Sequence, residues 1–246
     1  MTDTERATVD DAERDLHWPD CLNVRDLGGL PTRDGGSIRP GALIRADALN
    51  RLTADGLAAA RAAGVSRIID LRRETEIGVA EHPFAGDPAY RNIPVQNPAD
   101  PDHEWLTLAG IYCAMLDLRP DLFAQAFAEI ADAPPGAVVV HCAGGKDRTG
   151  MIVALALSIA GVTEELVAAD YALTESRMRE ENRAVLKLVD DPRIREIMAG
   201  LQPTPPEVML ETLAHLNEKH GGVRPYLLAA GVTEEKLAAV RDRLLA

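Results

Sequence analysis

The chain has 246 residues, enough for one large domain or two small ones with a well-buried core. It is 46% apolar and 26% charged with no low-complexity tract, as in globular proteins, and with only 4% aromatic residues the core is left to Ala, Leu, Val and Ile. A formal net charge of −13 repels nucleic acid and anionic membranes at long range, so neither is an expected partner, and an anionic substrate must be captured by local positive potential.

Residues 1 to 16 read as a charged, flexible leader, too acidic and polar for a signal peptide. No apolar run approaches the roughly 18 residues of a membrane span, so the expected location is the cytoplasm, without a stable membrane anchor. Cys21, Cys113 and Cys142 are an odd number without metal-ligand spacing; they read as reduced thiols, and no metal or cofactor is expected. Between residues 17 and 246 neither a repeat nor a clear linker divides the chain, which predicts a single domain.

Glycines and prolines from Gly28 to Leu49 predict turns and short strands, with Ala42–Arg45 the clearest strand. Thr53 can cap a helix through Ala63 that Gly64 ends, and the β-branched run Val65–Leu71 suits a buried strand. Tyr90–Val95 is a weaker strand, and Trp105–Leu118 and Asp121–Ala133 carry helical periodicity. Pro134-Pro135-Gly136 breaks the chain before the apolar strand Ala137–His141. The segment Thr149–Ala160 is apolar almost all round, as in a buried helix, and Gly161 closes it. Only helices are read beyond Thr163, with starts there, after Pro192, after Pro206 and after Thr233, and a break at Gly221-Gly222. The expected class is α/β, a central mostly parallel sheet flanked by helices, with a helical C-terminal extension.

Between the apolar strand and the buried helix lies His141-Cys142-Ala143-Gly144-Gly145-Lys146-Asp147-Arg148-Thr149-Gly150. A strand that ends in a glycine-rich loop opening a helix presents successive backbone N–H groups and a helix N-terminus to an anion. Gly144 and Gly145 allow close backbone approach, so Ala143, Gly144, Gly145, Lys146 and Thr149 are candidate substrate-binding positions. The field that binds phosphate also stabilises a thiolate, and such thiols drop from about 8.5 to roughly 3.5–7.5. Five residues after Cys142, the planar fork of Arg148 can hold two oxygens of a phosphoryl group as charge spreads over them. Thr149 is placed to donate to the sulfur, and His141 to order the loop.

This stretch matches the Cys-x5-Arg-[Ser/Thr] signature of the protein tyrosine phosphatase superfamily, with its preceding His and internal Gly. The form Cys-x-x-Gly-Lys-Asp-Arg-Thr-Gly resembles the bacterial atypical tyrosine and phosphoinositide phosphatases, the branch that includes a secreted mycobacterial enzyme. Asn23–Gly29, Leu43–Leu49, Asp70-Leu71-Arg72 and Asp170-Tyr171 extend the resemblance over about residues 21 to 180. It implies an α/β phosphatase fold, no metal, a phosphocysteine intermediate on Cys142, and Asp147 within the loop as proton donor, with Asp70 as second choice or as a structural partner of a loop cation. Trp18-Pro19-Asp20 mimics the general-acid loop of tyrosine phosphatases but lies far upstream of Cys142, and reads as a packed Trp beside a turn. Arg25, Asp26, Arg45 and Asp47 are explained by an ion-pair network under the loop at least as well as by substrate contact.

The expected substrates are phosphotyrosine-type monoesters in proteins, with phosphoserine, phosphothreonine and phosphoinositides behind them, and inorganic phosphate should occupy the loop. Ala143 at the first loop position leaves Lys146 without a second lysine for an inositol headgroup. The resemblance also implies that helices from about residue 176 to 246 form a lid. Two competing readings are a rhodanese-type sulfurtransferase and a catalytically idle phosphopeptide-binding module. The Thr after Arg148 disfavours the first, and the presence of Cys, Arg and acid together disfavours the second.

Overall fold

The apolar run Ala137–His141 forms a strand (β5) with every residue buried, because strands pair with both its edges and side chains pack on both its faces. The structure is a computed structural model that describes residues 11, 13–77, 82–97, 100 and 107–245. Strands β2 (Leu43–Ala46) and β3 (Val65–Asp70) flank β5, both parallel to it. At the edges, β4 (Tyr90–Asn92) runs parallel to β3, while β1 (Arg25–Asp26) is antiparallel to β2, giving the order β1-β2-β5-β3-β4. The fold is therefore the expected α/β class with a mostly parallel sheet.

Alternation along the strands divides the interior in two. Val138 and Val140 of β5 and Ile69 of β3 face the larger core, whereas Val139 and Ile68 face a smaller one. Helix α1 (Ala54–Ala62), capped by the Thr53 hydroxyl accepting from Gly56 N–H, covers the smaller core together with Trp18. Trp18 is thus a packed residue beside a turn, as read from the sequence.

The larger core is filled by α3 (Leu108–Leu118), α4 (Pro120–Ala131) and α5 (Asp147–Ala160), with a one-turn α2 (Glu74–Ile77) after β3. Helix α5 starts two residues before the expected Thr149, which brings Asp147 and Arg148 into its first turn, and it ends at Gly161 with φ 91°. Trp105, at the expected start of α3, lies outside the described residues, as do the first ten residues of the expected leader. Arg14 and Asp15 near the end of that leader are docked, contrary to expectation. Arg14 is buried against Asp170, and Asp15 pairs with Arg177 and bridges to Arg25.

All-helical structure follows as expected: α6 (Glu164–Lys187), α7 (Pro192–Leu201), α8 (Pro206–His220), a short unanticipated α9 (Val223–Ala229) and α10 (Glu234–Leu244). The expected lid over residues 176 to 246 needs correcting. Leu213 and Leu216 of α8, Leu227 of α9 and Val240 of α10 are buried in the main core, because these helices carry apolar stripes that match α3, α4 and α5. By contrast α7 buries none of its residues, and α6 buries none beyond Met178. Only the second half of α6 and α7 stand apart. Among the described residues, no helix is long and apolar enough to cross a membrane.

Candidate active site

At the C-terminal end of β5 the chain turns through Cys142–Lys146 into α5. Gly145 has φ +62°, and a Cβ there would lie 2.4 Å from the Ala46 carbonyl oxygen and 2.8 Å from Asp47 N. A side chain has no room, so this glycine lets the loop curl against the end of β2. Three donors hold its carbonyls. Ala48 N–H donates to Ala143 O at 3.0 Å, Asn23 Nδ2 to Gly144 O at 2.9 Å, and Arg45 Nη2 to Gly145 O at 2.7 Å. In a trans peptide the N–H points opposite to the C=O, so the amides of Gly144, Gly145 and Lys146 are aimed away from these donors. The loop is curled, not extended.

Cys142 is 1% exposed at the start of this curve and Arg148 lies at its end. Burial works against the charge of Arg148, but Cys142, Glu76 and Asp147 more than offset it and raise its pKa above the ordinary arginine value. The guanidinium is held in a bidentate pair by Glu76, with Nη1–Oε2 of 2.6 Å and Nη2–Oε1 of 2.7 Å. For Glu76, burial pushes the pKa up, yet Arg148 and Arg73 bring it down to about 2. Nothing in the sequence singles out Glu76; it belongs to a one-turn helix without a motif.

Asp147 opens α5 with its side chain 42% exposed. The Tyr112 hydroxyl donates to its Oδ1 at 2.5 Å and lies 2.9 Å from the Tyr171 hydroxyl, so two buried tyrosines fix the carboxylate. Lys146 does not project freely from the rim. Its Nζ lies 3.3 Å from Asp147 Oδ1 and donates to the Leu201 carbonyl at the end of α7, tying the loop to that helix. Between loop and helices opens a cavity lined by Ala143, Lys146, Asp147, Met178, Val185 and Leu201. Thr149 Oγ1 is buried without a hydrogen-bond partner among the described residues, so the expected bond to the Cys142 sulfur is not formed in this state.

Asp70 sits under the loop and is fully buried. Its carboxylate accepts from Arg72 Nη2 at 2.8 Å and the Tyr90 hydroxyl at 3.0 Å, and lies 3.7 Å from His141 Nε2 and 4.0 Å from His82 Nε2. Burial would raise its pKa, but His141 and Arg72 outweigh burial and leave it below the ordinary value. Asp70, His82 and His141 are close enough to surround a cation. Arg72 already neutralises the carboxylate, so the geometry fits a structural cluster better than a metal centre. His141 Nδ1 lies 3.4 Å from Cys142 O.

The ion-pair network under the loop centres on a residue outside the expected four. Asp170 receives Arg14, Arg25 and Arg45 at 2.9, 3.0 and 2.6 Å, all fully or almost fully buried. Arg25 also donates to Asn23 Oδ1 at 2.5 Å, so the residues that hold the loop carbonyls are themselves held. Asp26 instead caps the backbone at Gly28 and Gly41, and Asp47 accepts from Leu22 N, Asn23 N and the Cys21 thiol.

The chain is 29% identical to a tyrosine-protein phosphatase of Nostoc commune, over 85% of this chain and 76% of that protein. It is 27% identical to the triple specificity protein phosphatase PtpB of Mycobacterium tuberculosis, over 86% of this chain and 85% of that protein. A profile of the tyrosine phosphatase family matches residues 16–246, well beyond the stretch from which the resemblance was read. The chain is a phosphatase acting on phosphorylated substrates, and it belongs to the tyrosine phosphatase family.

Proposed function

We propose that the protein hydrolyses phosphomonoesters in two steps through a phosphocysteine on Cys142. The observation that carries this reading is a thiol and a guanidinium at the two ends of a loop whose Ala143, Gly144 and Gly145 carbonyls are tied outward. The amides left facing inward, with the α5 N-terminus and Arg148, supply local positive potential in a chain of net charge −13. Phosphate bound there sits over the sulfur.

In the first step the Cys142 thiolate forms the S–P bond as the P–O bond to the leaving group breaks, and Asp147 protonates the leaving oxygen. In the second, water attacks phosphorus, Asp147 takes its proton, and the thiolate departs as inorganic phosphate is released. Arg148 and the amides stabilise the equatorial oxygens in both transition states. Thr149 Oγ1, buried and without a hydrogen-bond partner among the described residues, is free to donate to the departing sulfur. Asp70 is a support residue, since Arg72 and Tyr90 occupy its carboxylate.

Phosphotyrosine is the preferred substrate, because the apolar side chains of Met178, Val185 and Leu201 beside the loop offer a surface for an aromatic ring. The relative named for triple specificity supports a substrate range wider than phosphotyrosine. Phosphoinositides rank lower, since the single loop lysine is engaged by Leu201 O and Asp147. The second half of α6 and α7 act as the lid. Three free cysteines fit a reducing compartment such as the cytoplasm. The test is p-nitrophenyl phosphate hydrolysis with EDTA present. Wild type should turn over. Cys142→Ser should lose turnover yet retain vanadate, and Asp147→Asn should lose about 10²–10⁴ in kcat. An Asp147→Asn enzyme indistinguishable from wild type would remove Asp147 as the acid.

A further inference from the structure

Outside the phosphate loop, the ends of α3 and α8 bring Asp117, His215 and His220 together. His215 Nε2 lies 3.1 Å from Asp117 Oδ1, and His220 Nε2 lies 3.1 Å from the same oxygen. All three side chains are about one-quarter exposed, at 24%, 26% and 24%, so the cluster is open to small ions from solvent. We propose that this cluster is a binding site for a divalent transition cation of the zinc type, ligated by both Nε2 atoms and Asp117 Oδ1, with solvent completing the shell.

The ligand chemistry favours that ion. Two imidazoles and one carboxylate form a nitrogen-rich N2O set that suits zinc, whereas calcium and magnesium take oxygen. Metal–ligand bonds of about 2.0–2.2 Å put tetrahedral ligand atoms roughly 3.4 Å apart. The two N–O separations of 3.1 Å need only a few tenths of an ångström to open, and the cluster's ligand atoms all lie within 4.8 Å of one another. Lys219 does not block the site. Its Nζ is 2.8 Å from Asp117 Oδ2, so it can stay on the outer oxygen while Oδ1 turns to the cation.

The site is also held in shape. His220 is the last residue of α8, which Gly221 ends at φ 77°. Its ring packs edge-on to Tyr226 with centroids 5.1 Å apart, and the Tyr226 hydroxyl donates to Leu116 O at 2.9 Å, next to Asp117. Glu211 and Asp121 add negative potential nearby. The half-exposed Lys219 holds Asp117 through Oδ2 alone, whereas the buried Arg72 guanidinium grips both oxygens of Asp70. A cation here clips α3 to α8 and braces the helix that carries Tyr112, at a site separate from the one proposed for hydrolysis. The inference stands or falls independently of that mechanism.

The test uses the untagged full chain with Cys142→Ser, which removes the loop thiol as a competing zinc ligand. After chelator dialysis, zinc is titrated against a chromophoric chelator, and cobalt binding is followed by its visible absorption. We expect one equivalent bound at micromolar zinc or tighter, a zinc-dependent rise in thermal midpoint, and at least tenfold weaker binding in both His215→Ala and Asp117→Asn. Cys113→Ser, one turn before Asp117, should bind as the parent does. In the otherwise wild-type chain, His215→Ala should leave p-nitrophenyl phosphate turnover unchanged. Absence of zinc binding, or equal affinity in parent, His215→Ala and Asp117→Asn, overturns the proposal and leaves the cluster as hydrogen bonds alone. Circular dichroism checks that each variant is folded, and His220→Gln replaces either one that is not.

Discussion

Replacing Asp170 with asparagine removes the charge on which Arg14, Arg25 and Arg45 converge. Burial alone would push the Asp170 carboxyl up, yet Arg25, Arg45 and Arg14 hold it far below the usual carboxylate range. Arg25 shows the strain on the other side of the balance: burial and the charge of Arg45 bring its pKa down to about 9. Asparagine keeps the shape but leaves two fully buried guanidiniums without a counter-charge. Breaking a buried pair in this way costs about 3–5 kcal/mol, and the amide oxygen that remains favours the low end. At about 2–4 °C per kcal/mol for a chain of this size, the thermal midpoint should fall by roughly 6–12 °C. Function should suffer as well, because Arg45 holds Gly145 O and Arg25 holds the Asn23 that grips Gly144 O. Urea denaturation and p-nitrophenyl phosphate kinetics on the same preparations measure both effects. The pH dependence adds a check. A depressed carboxylate pKa contributes stability that is fully present above about 3.9 and is lost as pH falls below it, so the two proteins should converge in acid. A stability change under about 1 kcal/mol at neutral pH with unchanged kcat/KM would refute the reasoning.

The two loop glycines should respond differently. Gly145→Ala forces a Cβ against the Ala46 carbonyl at positive φ and should cost more than about tenfold in kcat/KM, whereas Gly144→Ala meets nothing closer than 3.9 Å and should retain stability. Tyr112→Phe removes the hydroxyl that fixes Asp147 while keeping the ring, so kcat should fall with vanadate affinity near wild type. Buried His82 has its pKa lowered to about 3, first by burial and then by His141. Its neutral form therefore contributes stability above about 6.5 that drains away as pH falls towards 3, and His82→Phe should flatten that part of the stability curve by on the order of 2–4 kcal/mol, read by urea titration at pH 7 and pH 4.5.

Local rules made much of this fold legible. Ala137–His141 is an all-apolar run that could only be a covered strand, and Thr53, Thr163, Gly161 and Gly221 mark helix ends by their side chains or by backbone freedom that other residues lack. The phosphate loop was readable because all its parts lie within ten residues. Long-range partners were not. Glu76 reaches Arg148 across 72 positions and Tyr112 reaches Asp147 across 35, and no periodicity announces either. Arg25 and Arg45 could be suspected as a buried network because they interrupt packed strands, but their common partner Asp170 sits on a helix of mixed polarity. The lid was drawn too long for a related reason. Apolar stripes on α8 and α10 are visible in the sequence, but which surface they cover depends on the placement of α4 and α5. The leader was drawn too long because Arg14 and Asp15 are anchored by tertiary ion pairs and not by local pattern.

The most direct test of the account is to trap the covalent intermediate. Enzyme mixed rapidly with an aryl phosphate, quenched within the first turnover and digested should show one phosphoryl group on the peptide that carries Cys142, absent from Cys142→Ser. Turnover by wild type with no phosphoryl group on Cys142 under any quench, or with the label on another residue, would contradict it.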